Sequence, residues 1–409
     1  MRLYFLFTFC LLCFISCKND ASKEATSESK IFKPLVEELN SPVNGNSSLP
    51  RLYSNGKELF LSWVEEKDSI SSLQYSVFKN DVWSPSEEII TGNDWFVNWA
   101  DFPAIAENNG NILTNFLQKS ADGTYIYNVK LNLYSAETNT WSKDMLLHSD
   151  GTKSEHGFVS MLPYQKDSFF VTWLDGRTTV NVDRDKSQMT LRSAFVNSKG
   201  EINNDTLLDK RVCDCCQTSV AMTANGPVVV YRDRSSEEVR DISIVRFENG
   251  KWTAPQTIHQ DNWLMPGCPV NGPSVNSFDD NLAVAWFTAE NDNPRVQVIF
   301  SEDNGASFGF PIRIDSGNAI GRVDVSMISE NKAIVCWMEP SGNDTLIQLQ
   351  RVDINGSKGE IITLTKTRSE RASGFPQIEI FGDDLVASWT SLENSTPTIK
   401  TAKIAIKNL

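Results

Sequence analysis

The feature that most constrains the fold is a repeat. Seven segments read as a short turn leading into a strand that ends in an aromatic residue, usually followed by a polar or acidic one. They are LFLSWVE, ILTNFLQ, FFVTWLD, PVVVYRD, LAVAWFT, AIVCWME and LVASWTS. Their aromatics, Trp63, Phe116, Trp173, Tyr231, Trp286, Trp337 and Trp389, are spaced by 53, 57, 58, 55, 51 and 52 residues. Each unit continues with two more short strands, as in DISIVRF followed by GKWTAPQTI. Short apolar runs bounded by turn residues are strands, and helical periodicity is nearly absent. A period of roughly 50 residues made of strands and turns predicts an all-β chain, a β-propeller of four-stranded blades. The count gives seven blades, or six if one hairpin is a decoration. The seventh unit lacks a fourth strand, since the chain ends soon after TIKTAKIAI. The segment IFKPLVEEL at 31–39 has no unit of its own. It is expected to pair with the last blade, closing the ring and removing an open edge. Residues 31–409 are thus one propeller domain.

What precedes the repeats predicts an address. Arg2 and the apolar run from Leu3 to Ile15 form a secretory signal, too short to span a bilayer. Phe14-Ile15-Ser16-Cys17 resembles a bacterial lipobox, which implies a signal peptide over 1–16 and lipidation of Cys17. A polar tether fills 17–30. The charged residues after Cys17 resemble the surface-export signal of lipoproteins in the Bacteroidetes. The expected location is the outer membrane or cell surface, with the lipid as the only membrane attachment. The chain carries 38 basic and 52 acidic residues, a net charge of −14. That balance disfavours nucleic acid, whose binders present a basic face.

One turn carries a family resemblance. SEDNGASF, residues 301–308, resembles the Asp-box of sialidases and other BNR-repeat propellers through Ser301, Asp303, Gly305, Ser307 and Phe308. Glycine supplies a positive φ, the Asp bonds backbone amides and the aromatic tucks under the blade. Weaker echoes occur in FKNDVWSP, SAETNTWS and FENGKWTAP. Strings such as WADFP and CDCCQT also look like those of uncharacterised sialidase-like lipoproteins. In the sialidases the box is structural, and the resemblance implies the architecture. Their active site implies an Arg-Ile-Pro motif, three arginines, an Asp acid and a Tyr–Glu pair. This chain has no Arg-Ile-Pro, only PRLY at 50–53, and no nucleophile stands out; Tyr231 occupies the repeat's packing position.

Geometry directs attention to one face. Loops entering the innermost strands and loops joining the second to the third strands emerge together around the axis. They carry DWFVNWADFP, TKSEHGFVS, RVCDCCQTS, GCPVNGPS, NAIGRVDVS, RSERASGFP, LDGRT and YRDRSSEEVRD. Cys213, Cys215, Cys216 and Cys268 fall on neighbouring loops, with His156 beside Glu155 entering from the third blade. Thiolates and imidazole suit Cu or Zn. In an oxidising compartment the four cysteines instead form two disulfides that staple the loops, or serve redox chemistry. Arg177, Arg232, Arg234, Arg240, Arg322 and Arg371 suggest an anionic ligand such as an acidic glycan, if they are not simply ion-paired. Trp95, Trp99 and Trp263 offer flat platforms for a sugar face, unless they cap the core. Asn271 is a further ligand candidate. Asp101, Glu155, His156, Asp175, Asp233 and Glu237 are the candidates for acid–base work. Three functions fit: a surface lipoprotein binding or processing an acidic glycan with exo-sialidase-like chemistry, a Cu- or Zn-binding propeller, or a non-enzymatic scaffold for another envelope protein.

Overall fold

The computed structural model describes residues 35–409, apart from 44, 184, 185 and 395. The signal and tether assignments, Cys17 included, lie outside the described residues. Seven antiparallel sheets follow one another in chain order. Their innermost strands are Ser47–Ser54, Ile105–Asn108, His156–Tyr164, Ser219–Thr223, Ser274–Phe278, Gly321–Ser329 and Gln377–Phe381. The seven-blade count therefore holds. In the seventh sheet the outermost strand is Glu37–Leu39, which pairs with Thr401–Lys403 of the strand Thr396–Ala405. The expected closure is present. Among the described residues no helix is long and apolar enough to cross a membrane.

The repeat reflects burial. Each second strand lies between neighbours in its own sheet and is covered by adjoining blades, so it is buried and mostly apolar over most of its length, as in Leu59–Val64. The outermost strands face solvent on one side and read polar, as Thr140–Leu146 does. The repeated aromatics are all buried. The acid two positions later has a physical reason in two blades. Trp173 Nε1 donates to Asp175 Oδ2 at 2.8 Å, and Trp337 Nε1 donates to Glu339 Oε2 at 3.0 Å. A buried indole N–H needs an acceptor, and the motif supplies it.

The turn at 301–308 folds as its sequence requires. Gly305 has φ +82° and donates to Ser301 Oγ at 2.9 Å, while Asp303 Oδ1 accepts the Ser307 amide at 2.8 Å. Phe308 packs against the core between blades four and five. The turn joins the third and fourth strands, Arg295–Ser301 and Ile312–Arg313, as expected.

Bulges shape the axis. Leu49, Phe158 and Arg322, at φ 61°, 54° and 54°, sit where the innermost strands of blades one, three and six slip register. A non-glycine residue in this region is unusual, and a bulge re-aims the side chains beside it. Here the bulges turn Arg51, Ser160 and Asp324 towards the axis, where they line a cavity of only about 30 Å³. Arg51 Nη1 donates to Gln377 Oε1 at 2.7 Å across it. The axial mouth on the loop face is therefore closed to a sugar.

Candidate functional site

Most rim arginines are structural. Arg232 donates to the carbonyls of Asn271, Arg240 and Phe287, with its guanidinium carbon 5.0 Å from the centre of the Trp263 ring. Arg322 donates to the carbonyls of Ser369, Glu370 and Gly374 and lies 4.8 Å over Trp99. Burial pulls its guanidinium down to about 10. Arg177 forks onto Asp175 with two contacts of 2.7 Å. Arg234 and Arg240 both bind Glu238 at 2.8 Å. Arg371 alone of the six is exposed. The ring of anion-binding arginines does not form, because a buried guanidinium must be spent on internal acceptors.

The tryptophans and several acids also move from the ligand to the frame. Trp95 stacks on Phe116 at 4.5 Å inside the core, and Trp263 is buried against Phe287. Trp99, half-buried, stacks on Phe375 at 5.7 Å. Asn271 is buried, and its Oδ1 accepts the Arg322 amide. Asp175 serves Trp173 and Arg177. Asp233 accepts from Ser243 and the Arg234 amide, and burial raises its carboxyl to about 6. Glu237 is exposed and bonded only to its neighbours Ser236 and Ser235.

The cysteines do not converge with His156. Cys215 and Cys268 form a disulfide, with Cα atoms 5.9 Å apart, that staples the entry loops of blades four and five. Cys213 and Cys216 remain buried thiols with sulfurs 3.4 Å apart. Burial raises the Cys213 thiol, but the hydrogen bond with Cys216 and the charge of Arg240 outweigh it and bring it to about 7. One of the two expected staples is thus present, and it leaves Cys213 and Cys216 as the free thiols of the cluster. His156 instead stacks on His148, with ring centres 3.6 Å apart.

What the fold does bring together is a hydrogen-bonded chain. Tyr127, which opens the third strand of blade two, donates to Glu155 Oε1 at 2.7 Å and lies 3.5 Å from Asp101 Oδ2. The bulge at Phe158 turns its amide onto Asp101 Oδ1 at 2.7 Å. Gly157 is required here, since a Cβ would fall 2.1 Å from Asp101 Oδ2. Burial pushes Asp101 up to about 8; the Phe158 amide opposes this, and the charge of Glu155 adds to it. Burial likewise lifts Glu155 to about 7, against the Tyr127 hydrogen bond and with the help of Asp214. Both carboxyls are thus largely protonated below neutrality.

The Tyr127 ring is buried and stacked on Phe96 at 4.3 Å. Glu155 is the end of the chain that meets an open groove. That groove, about 420 Å³, is lined by Tyr125, Lys153, Glu155, Gln188, Met189 and Asp214 among others. It lies on the loop face between blades two, three and four. Its size suits a small ligand, and Tyr125 is an exposed ring at its edge.

The raised carboxyls make a pH prediction. In the unfolded chain Asp101 loses its proton near pH 3.8, and in the fold near 8. The folded state binds more protons between these values, so the stabilising effect is full below the lower one and lost as pH climbs to the upper. The slope is about 1.4 kcal/mol per pH unit for one such group. Asp101→Asn keeps the acceptor for Phe158 and removes the titration. Denaturation at pH 5 and pH 8 should show a clearly flatter pH dependence for the variant and a more stable fold at pH 8. An unchanged slope would refute the buried-acid assignment.

Neither a protein-family model nor a curated protein matches the chain. Solved structures share its architecture. A protein of unknown function from Dyadobacter fermentans is 11% identical, with 91% of this chain and 100% of that one covered and a TM-score of 0.50. The polysaccharide lyase Uly1 is 10% identical, covers 90% and 91%, and gives 0.52. The endosialidase of phage phi92 is 8% identical, covers 91% and 69%, and gives 0.49. Identities this low establish the fold alone. The protein is a seven-bladed all-β propeller whose structural neighbours are sialidase-like and related propellers.

Proposed function

We propose that the protein is a glycan-acting propeller, binding or processing an acidic polysaccharide in the groove that Glu155 borders. The observation that carries this reading is the chain Asp101–Tyr127–Glu155, which delivers a carboxyl raised to about 7 to an open groove. A protonated Glu155 can give its proton to a glycosidic oxygen as the bond to that oxygen breaks and a solvent water adds to the anomeric carbon, losing its proton to solvent. The Tyr127 hydroxyl fixes its orientation. A protonated Glu155, the neighbouring Lys153 and the pairing of Asp214 with Arg234 at 3.2 Å make room in the groove for a sugar carboxylate, and Tyr125 offers a flat face to the ring. A polysaccharide lyase built on the same fold supports the reading as a matter of architecture. The proposed address, an exported lipoprotein at the outer membrane or cell surface, rests on residues 1–30 of the sequence.

The test uses sialylated, uronate-containing and neutral polysaccharides, with binding measured by calorimetry and cleavage by new chain ends. An acidic glycan should bind, and if it is cleaved, Glu155→Gln should lower turnover by about 10²–10⁴ with little change in binding. Loss of neither binding nor turnover in the variant moves the site elsewhere. A wild-type protein inert to the whole panel ends the glycan reading.

A further inference from the structure

A second cluster lies behind the groove, and the groove's chemistry does not use it. His148, at the end of blade two, and His156, at the start of blade three, stack with ring planes 8° apart. Asp150 sits against both. Its Oδ2 lies 2.7 Å from His148 Nδ1 and 3.3 Å from His156 Nε2. Asp150 Oδ1 is occupied by the amide and hydroxyl of Thr152. Asp175 Oδ2 is 3.8 Å from His156 Nε2 and is neutralised by Arg177.

The tautomer of His156 follows from its partners. Nδ1 is 3.2 Å from the carbonyls of both Tyr127 and Ser154. Carbonyls only accept, so Nδ1 carries the hydrogen. Nε2 then presents its lone pair to the side where Asp150 and Asp175 lie. It is buried, with the residue 0% exposed, and has no hydrogen-bond partner. The Asp150 oxygen at 3.3 Å is not one, because a carboxylate oxygen and an unprotonated Nε2 both only accept. Arg177 Nη2, 2.7 Å from Asp175 Oδ2 and 3.6 Å from Asp150 Oδ2, already sets a positive charge beside both carboxylates, and what stays unmet is the buried Nε2 lone pair itself, which needs a proton or a metal ion.

We propose that His148, Asp150 and His156 form a buried site for a divalent first-row metal ion, Zn²⁺ above all, that ties blade two to blade three. Ligand bonds of about 2.0–2.1 Å separate the corners of a tetrahedron by roughly 3.3 Å; His156 Nε2 and Asp150 Oδ2 stand at that separation, while His148 Nδ1, 2.7 Å from the same oxygen in a ring stacked parallel to that of His156, has to swing out of the stack to complete the set. The second shell is also in place. The two carbonyls hold the His156 tautomer and Thr152 orients Asp150, the arrangement that metal-binding imidazoles and carboxylates need. Asp175 with its Arg177 partner completes the surroundings. The donor set of two imidazoles and one carboxylate suits Zn²⁺ and its neighbours rather than Ca²⁺ or Mg²⁺. The site is distinct from the thiol pair Cys213–Cys216 and independent of any glycan activity. The competing account is a single proton on His156 Nε2, giving an imidazolium paired with Asp150.

The experiment uses the folded propeller with its disulfide intact. The protein is stripped with chelator, and Zn²⁺ is returned in competition with a chromophoric indicator. Co²⁺ is used in parallel to read coordination from its visible spectrum. One Zn²⁺ per chain should bind, with a tetrahedral Co²⁺ spectrum lacking thiolate charge-transfer bands. His148→Gln should weaken binding more than about 100-fold, and Thr152→Val about 10–100-fold. The double variant Cys213→Ser, Cys216→Ser should bind as the parent does. If His148→Gln does not fold, Asp150→Asn and the Thr152 variant carry the same test. No stoichiometric uptake, or uptake abolished by the cysteine variant alone, overturns the proposal in favour of the imidazolium.

Discussion

Arg232→Leu is expected to lower the stability of the propeller by about 3–5 kcal/mol, an effect of the size seen when a buried, hydrogen-bonded charge is removed. Arg232 is 1% exposed. Its Nε and Nη2 donate to the Asn271 carbonyl at 2.9 and 2.8 Å, Nη1 to Arg240 at 2.6 Å and Nη2 to Phe287 at 2.7 Å. Leucine leaves three buried carbonyls without a donor, and each such loss costs about 1–3 kcal/mol before any relaxation. Arg232→Lys keeps the charge but lacks the fork, so it should recover only part of the loss. Urea unfolding of the three proteins makes the comparison. A change below about 1 kcal/mol in Arg232→Leu would mean that the blade four and five loops hold each other without it.

The second large effect is expected at the disulfide. Cys215 and Cys268 are 53 residues apart. Cross-linking a loop of that length restricts the unfolded chain by about 4 kcal/mol in the chain-entropy account. The double substitution Cys215→Ser, Cys268→Ser should therefore cost a few kcal/mol, read as a lower urea midpoint. A thiol titration of the denatured, unreduced chain from residue 35 onward should find three thiols, those of Cys213, Cys216 and Cys336. Five would show that the bridge is absent. One would show that Cys213 and Cys216 have also joined.

The architecture was legible because its signals are local and repeated. Each buried aromatic is flanked by a run that only a covered strand tolerates, and the turn at 301–308 encodes its own hydrogen bonds. The site was legible only in part. Asp101, Glu155 and His156 were visible as polar residues in the right loops. Their partners were not, because Tyr127, His148 and Asp150 lie in other strands and loops, far from Asp101 or on the blade before His156, and carry no local motif. Tyr127 reads as one more strand aromatic in TYIYN, and His148 as the end of an outer strand. The arginines misled for a related reason. A dense charged string such as YRDRSSEEVRD looks solvated, yet propeller loops fold back over the blades and bury Arg232 against backbone carbonyls that the sequence cannot display, with Arg240 buried beside Glu238. The proximity of Cys215 to Cys268 followed from blade order. The separation of His156 from them followed from the direction of its side chain, which strand order alone does not specify.

The pairing of Glu37 with Lys403 sets the order in which this molecule can be completed. Six of the sheets are built from contiguous sequence, and each can assemble as soon as its own hairpins exist. The seventh cannot, because one of its strands lies, in sequence, on the far side of the other six sheets from its three partners. Contacts so distant along the chain are slow to form, since their loop-closure entropy precedes any gain from pairing. Until that pairing forms, the seventh sheet keeps a raw edge. Its completion joins segments that flank the other six sheets in sequence. The strand Glu37–Leu39 acts as a latch, and quality control of the whole ring reduces to whether that latch has found its place.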